Sequence, residues 1–177
     1  MQAPSMRLAF AGKMQVGKTT AADYLVRRHG FVKYALADPI KEIATTAFGW
    51  DGAKDERGRR LLQEIGTVGR NYDPEMWLQP LDARLEREDP PRAVVDDVRL
   101  AREVAFLASR GFTVARIDRL VEPVFAPSSS DQSSHETEVE LDEMAFDVTI
   151  DNSGTFEQLF AQLDALVARL GKASRTP

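Results

Sequence analysis

The sequence predicts an α/β fold, a five-stranded parallel sheet flanked by helices in three layers, and three observations carry that expectation. Residues Gly12 to Thr19 read Gly-Lys-Met-Gln-Val-Gly-Lys-Thr, a complete G-x-x-x-x-G-K-[ST] phosphate-binding loop set between an apolar run and a helical stretch. Short apolar runs then alternate with helix-patterned segments along the chain, the rhythm of successive βα units. The 177 residues are 43% hydrophobic, enough to bury one core, so one domain with small insertions is expected.

The elements follow in order. Leu8, Ala9, Phe10 and Ala11 read as a buried first strand, and the helix opening at Thr19 closes at Gly30, where a left-handed cap is expected. Phe31 to Leu36 reads as a second strand, and Ala93 to Val95, running into Asp96 and Asp97, as a third. The stretch between them is an insertion with helical patterning. Leu61, Leu62, Ile65 and Val68 form one helix face, and Asp73 followed by Pro74 signals a further helix start. Arg99 to Arg110 carries Leu100, Val104 and Leu107 on one face and stops at Gly111, after which Phe112 to Ile117 is a fourth strand. The polar run from Pro127 to Ser134 reads as a loop, and Phe146 to Ile150 as the fifth strand. Thr155-x-x-Gln158 is a capping box for a terminal amphipathic helix carrying Leu159, Leu163, Leu166, Val167 and Leu170 and ending at Gly171. In such a sheet ligands bind at the carboxyl ends of the strands.

Composition narrows the function. The absence of cysteine excludes disulfides and thiolate metal sites, and no apolar run approaches the length of a membrane span. The first residues lack the apolar core of a signal peptide, so a cytoplasmic location is expected. A net charge of −5 argues against a nucleic-acid partner, which would demand a clustered basic face, and no membrane partner is expected. Small-molecule nucleotides are the expected partners, with a homodimer left open. Arginine outnumbers lysine, which suits bidentate phosphate recognition, although an arginine-biased genome gives the same count.

The loop itself implies binding of a nucleoside triphosphate, ATP, with Mg²⁺. Backbone N–H groups of Gly12, Lys13, Gln15, Val16, Gly17, Lys18, Thr19 and Thr20 are placed to face phosphate oxygens; Lys18 reaches the outer phosphates and the Thr19 hydroxyl ligates the metal. A carboxylate at the end of the third strand is expected at the same ion, Asp96 or Asp97, the alternative being a cap on the following helix.

Several further segments, in this order, resemble the nucleoside monophosphate kinases, most closely the deoxynucleoside monophosphate kinases of bacteriophages. They are Ala35-Leu36-Ala37-Asp38-Pro39-Ile40-Lys41, Leu61 to Arg70 followed by Trp77, Asp97-Val98-Arg99 with Glu103, His135-Glu136-Thr137-Glu138, and Asp151-Asn152-Ser153-Gly154-Thr155. The resemblance implies a P-loop kinase core over 6–37, 92–118 and 146–171, a nucleoside-monophosphate-binding insertion over 38–91 and a short lid over 119–145. It implies phosphoryl transfer from ATP to a deoxynucleoside monophosphate.

Residue by residue, the Asp-x-Arg pattern favours Asp97 at the metal. Arg99 becomes the clamp on the acceptor phosphate as well as a catalytic cation beside Lys18; its alternative is a solvated helix start. Arg70, Asp38, Lys41 and Trp77 become substrate ligands, and Asn152 and Gly154 join the nucleotide site. The structural alternatives stay open: an exposed turn for Arg70, an N-cap for Asp38, a solvated lysine for Lys41, core packing for Trp77. Arg57, Arg59 and Arg60 form a wet helix face. Arg116 and Arg119 flank the lid, whose own serine-rich sequence lacks the arginine clamp that the family leads one to expect, and His135 is a loop residue ordering it.

A signalling GTPase would need an Asn-Lys-x-Asp motif, which is absent, and the Asp151-x-x-Gly154 match falls too late for a switch. A nucleic-acid motor is disfavoured by the short acidic chain. The remaining alternative is another small-metabolite kinase of dephospho-coenzyme A or phosphomevalonate type.

Overall fold

The computed structural model describes residues 5–53, 55–120, 141–142 and 144–173. The Pro127–Ser134 loop, His135 and most of the expected lid lie outside the described residues. The chain forms two compact units, one built up to Lys33 and again from Pro90, the other spanning Tyr34–Asp89.

The first unit holds the sheet. Its strands are β1 (Met6–Ala11), β2 (Val32–Tyr34), β3 (Arg92–Val98), β4 (Thr113–Asp118) and β5 (Val148–Asp151), in the order β2-β3-β1-β4-β5. β1 pairs in parallel with β3 and β4, and β4 with β5. Central parallel strands are covered on both faces and so read as continuous apolar runs, and Leu8, Ala9, Phe10 and Ala11 are fully buried. The second strand proves shorter than the sequence suggests, an edge strand of three residues.

Helices α1 (Lys18–His29), α5 (Ala101–Ser109) and α6 (Phe156–Ala173) belong to this unit. Ala21, Ala22 and Leu25 of α1 and Leu159, Leu163, Leu166 and Val167 of α6 recur at helical spacing and share one core with Leu8, Phe10, Val94, Ile117 and Ile150. Each large side chain so buried contributes about 1.5–3 kcal/mol. Gly30 closes α1 in the left-handed conformation, φ 68°, donating to Leu25 O and Val26 O. The capping box is present: Thr155 N donates to Gln158 Oε1 at 2.9 Å and Gln158 N to Thr155 Oγ1 at 3.4 Å. α6 runs to Ala173 rather than ending at Gly171, because a helix with a buried apolar stripe tolerates one glycine.

In the second unit, α2 (Asp38–Phe48), α3 (Glu56–Tyr72) and α4 (Gln79–Glu88) follow one another. Two expectations are revised here. The apolar face of α3 is only partly covered: Leu61, Leu62 and Ile65 are half-buried, Val68 is 70% exposed, and the fully buried positions are Gly58, Gly66 and Gly69. Trp77 explains the buried glycines. Its ring lies where a Cβ on Gly69 would stand, 2.2 Å from Trp77 Cζ2, and its Nε1 donates to Gly66 O at 2.9 Å. Second, Asp73 does not start a helix at Pro74. Its carboxylate accepts from Glu75 N at 2.9 Å and Gln79 Nε2 at 3.1 Å, closing a turn after which α4 begins at Gln79.

Candidate functional site

The phosphate loop leaves β1 and enters α1, and its shape is held by two side chains. Lys18, 7% exposed, folds back across the loop and donates through Nζ to Gly12 O at 2.6 Å and Lys13 O at 2.7 Å. Asn152, just beyond β5 and equally buried, donates through Nδ2 to Val16 O at 2.8 Å, while its backbone N–H reaches Asp118 O at 2.7 Å. Gly17, at φ 100°, admits no side chain, since a Cβ would come within 2.3 Å of Asn152 Nδ2. Gln15 is left-handed too, at φ 64°, an uncommon state for a residue with a side chain and one that turns the loop tightly. Thr19 is exposed at the start of α1, with no partner for its hydroxyl among the described residues, and Thr20 is half-buried behind it. Gly154 has a local reason: a Cβ would meet Gln158 Oε1 at 1.8 Å, the oxygen engaged in the capping box.

At the end of β3 the register shifts. Ala9 pairs with Val95 and Ala11 with Val98, so Asp96 and Asp97 together oppose Phe10. Asp96 is buried and lies 3.9 Å from Lys33 Nζ, which also binds Asp23 at 2.5 Å; Asp97 is half-buried. The following turn is tied down by Glu103, whose Oε2 accepts from Arg99 N at 2.8 Å and Leu100 N at 3.1 Å. Burial pushes the Glu103 carboxyl above its ordinary pKa despite both bonds, with the Asp97 charge adding to the rise. Arg99 itself is exposed, and its guanidinium has no partner among the described residues.

A network missed in the sequence joins the loop to Leu141 and Asp142. Lys13 Nζ lies 3.0 Å from Asp142 Oδ2, and Arg116 binds Asp142, Leu141 O at 2.8 Å and Asp118 at 2.7 Å. Hydrogen bonds from Arg116 and then Lys13 hold the Asp142 carboxyl below the usual carboxylate range. Arg116 is thus engaged by carboxylates, whereas Arg119 is exposed with no partner among the described residues. The Arg116–Asp118 pair, two residues apart on one strand face, was the available signal; Asp142 had none.

Within Tyr34–Asp89, Asp38 is the first residue of α2 rather than its N-cap, which is Ala37. Its carboxylate binds Lys41 at 2.9 Å and lies 3.7 Å from Arg84. Arg84 in turn stacks 4.7 Å from the Tyr34 ring centroid and binds Glu88, which also accepts the Tyr34 hydroxyl at 2.8 Å. Arg70 leans along α3, donating to Thr67 Oγ1 at 3.4 Å and lying 3.1 Å from where a Cβ on Gly66 would stand. Trp77, read from the resemblance as a substrate ligand, is 7% exposed and offers no open ring face; it takes the core alternative.

Comparison with known proteins bears out the resemblance. Residues 7–79 match the family model described as deoxynucleotide monophosphate kinase. The chain is 28% identical over 184 aligned residues to a protein of Acanthamoeba polyphaga mimivirus named "Putative deoxynucleotide monophosphate kinase", the alignment covering 85% of this chain and 90% of that protein. Shikimate kinase from Aquifex aeolicus vf5 superposes with a TM-score of 0.60 at 17% identity, over 95% of this chain and 98% of that one. Dephospho-CoA kinase from Campylobacter jejuni does so with a TM-score of 0.59 at 14% identity, over 94% and 98%. The fold is that of the P-loop kinases, and the similarity supports a phosphate-transferring kinase.

Proposed function

We propose that the protein transfers the terminal phosphoryl group of ATP to a deoxynucleoside monophosphate, giving the diphosphate, and so supplies deoxynucleotides for DNA synthesis in the cytoplasm. The observation that carries the reading is the phosphate loop, braced by Lys18 and Asn152, in a chain whose residues 7–79 match the deoxynucleotide monophosphate kinase family model. The residues present suit the triphosphate: the loop enters a helix N-terminus, the small Gly17 leaves its backbone uncovered, and Lys18 places a cation beside the inner carbonyls.

Phosphoryl transfer asks little covalent chemistry of a protein, so alignment and charge neutralisation are what these residues do. Lys18 neutralises charge growing on the phosphates. The Thr19 hydroxyl and the Asp97 carboxylate would hold Mg²⁺, a hard cation suited to oxygen ligands, which would offset phosphate charge when bound. Asp96, buried 3.9 Å from the Lys33 ammonium that binds Asp23, shapes the strand end instead. Arg99 clamps the acceptor phosphate, with Glu103 fixing the turn that carries it. Arg70, with Asp38 and Lys41, receives the rest of the acceptor.

The test is ADP release with ATP, Mg²⁺ and each of the four common deoxynucleoside monophosphates. Turnover with one or more of them is the expected result. Failure of all four, with phosphorylation of dephospho-coenzyme A or phosphomevalonate, would assign a different small-metabolite kinase. ATP turnover stimulated only by DNA or RNA would assign a motor.

A further inference from the structure

The phosphate loop carries a second lysine that its motif does not ask for. Lys13 follows Gly12, and its side chain leaves the loop toward Asp142, with Nζ 3.0 Å from Oδ2. Its backbone stays against the other lysine, since Lys18 Nζ donates to Lys13 O at 2.7 Å. The motif directs Lys18 to the outer phosphates, so Lys13 stands beside the place where those phosphates would lie. The two members of the Lys13–Asp142 pair are held unequally. Asp142 is fixed from behind by Arg116, which is 16% exposed, binds the same carboxylate and Leu141 O, and is itself anchored on Asp118 at 2.7 Å. Leu141 beside it is buried. Lys13 reaches across on a flexible four-carbon stem and is 45% exposed. Hydrogen bonds from Arg116 and Lys13 hold the Asp142 carboxyl below the usual range, so it is an anion at neutral pH.

We propose that Asp142 and the outer phosphates of a bound nucleoside triphosphate compete for the Lys13 ammonium, so that Asp142 sets how tightly the loop holds its ligand, a role that rests on the triphosphate reading of the loop. Carboxylate and phosphate oxygens are alike charge-assisted acceptors for an ammonium. A lysine, a point charge on a flexible stem, can turn from one to the other without a change of backbone. Binding then replaces one ion pair with another instead of adding a new one, and the strength of the Asp142 contact is subtracted from the affinity. Arg116 keeps the carboxylate in place when Lys13 turns away, because its bonds to Asp118 and Leu141 O do not involve Lys13. Asp142 acts through Lys13 and is a positioning residue. The sign of its effect separates this role from a structural one. A contact that only shapes the loop weakens binding when it is cut, whereas a competitor strengthens binding when it is cut.

Calorimetric titration of the full chain with ATP and Mg²⁺ tests this without reference to turnover. Asp142→Asn should lower the Kd for ATP by about twofold to fivefold, the range open to a half-exposed ion pair. Lys13→Met should raise the Kd, and adding Asp142→Asn to Lys13→Met should no longer tighten binding, since the two residues act as one unit. ATP binding that Asp142→Asn leaves unchanged or weakens overturns the exchange and leaves the kinase reading standing. Equal tightening in the Lys13→Met background also overturns it, because the effect would then belong to net charge near the loop and not to Lys13. A wild type that binds no ATP overturns the exchange together with the kinase reading.

Discussion

The phosphate loop and the helical unit Tyr34–Asp89 handle charge in opposite ways. In the loop the groups proposed to meet anions are backbone N–H groups and the Lys18 ammonium, and Lys18 and Asn152 also hold the backbone through its carbonyls. In the helical unit the charged groups are side chains held by other side chains, as in Asp38 with Lys41 and Arg84, or Arg84 with Glu88. A backbone device can be specified by eight contiguous residues and needs only its brace from afar. A side-chain device depends on how three helices pack, and so is free to vary with the ligand it must recognise. The contrast suits a reaction in which the donor is constant and the acceptor is selected.

The contrast can be broken most sharply at Lys18. Lys18→Ala should lower kcat by several orders of magnitude while the fold persists, because charge neutralisation in the transition state is lost. An unchanged turnover number in the folded variant, measured by coupled ADP release, would remove the loop from the chemistry. In the helical unit the largest expected effect is on stability. Trp77→Ala should cost about 3–5 kcal/mol by denaturant unfolding, because it empties the space over Gly66 and Gly69. A loss below 1 kcal/mol, roughly the scale of an exposed site, would mean the tryptophan is not the wedge of α3.

The acceptor side should respond more mildly and in two distinguishable ways. Arg70→Ala should raise the acceptor KM about tenfold to a hundredfold, the equivalent of one hydrogen bond to a charged group; Arg99→Ala should lower kcat as well if its contact strengthens while the phosphoryl group moves. Neither should alter ATP affinity by calorimetry, and loss of ATP binding in Arg70→Ala would break the division between donor and acceptor groups. The smallest effect belongs to Asp142. Its pKa lies below the ordinary value, so its contacts with Lys13 and Arg116 stabilise the fold above the unfolded-state pKa near 4 and are lost as pH falls through the lower folded value. Half-exposed pairs of this kind are worth under about 1 kcal/mol. Asp142→Asn should therefore lower the melting temperature slightly at pH 7, with the difference from wild type closing in acid; a difference that widens in acid would contradict the assignment.

The alternation of strands and helices was legible because buried parallel strands such as Leu8–Ala11 and capped helices such as that from Thr155 carry their signals locally. The phosphate loop was legible for the same reason. What escaped depends on partners distant in sequence or on a break in periodicity. The burial of the α3 glycines was not legible because glycine reads as helix-weakening until Trp77, eight residues past Gly69, fills the space it leaves. Asp73 carried a valid cap signal that was spent on a turn instead. The two carboxylates ending β3 could not be told apart from the sequence, because the shifted register that sets both across from Phe10 depends on pairing with β1.

The bond from Asn152 to Val16 O spans 136 residues of chain. At 5–20 residues per second the ribosome needs roughly 7–27 s to make that stretch. For all of that time the nascent chain carries a complete phosphate-loop motif without its brace, and for the first part of it the central strand β1 also waits for β3 and β4. Nucleotide capture is therefore one of the last competences the growing polypeptide acquires, although its recognition motif is among the first to emerge.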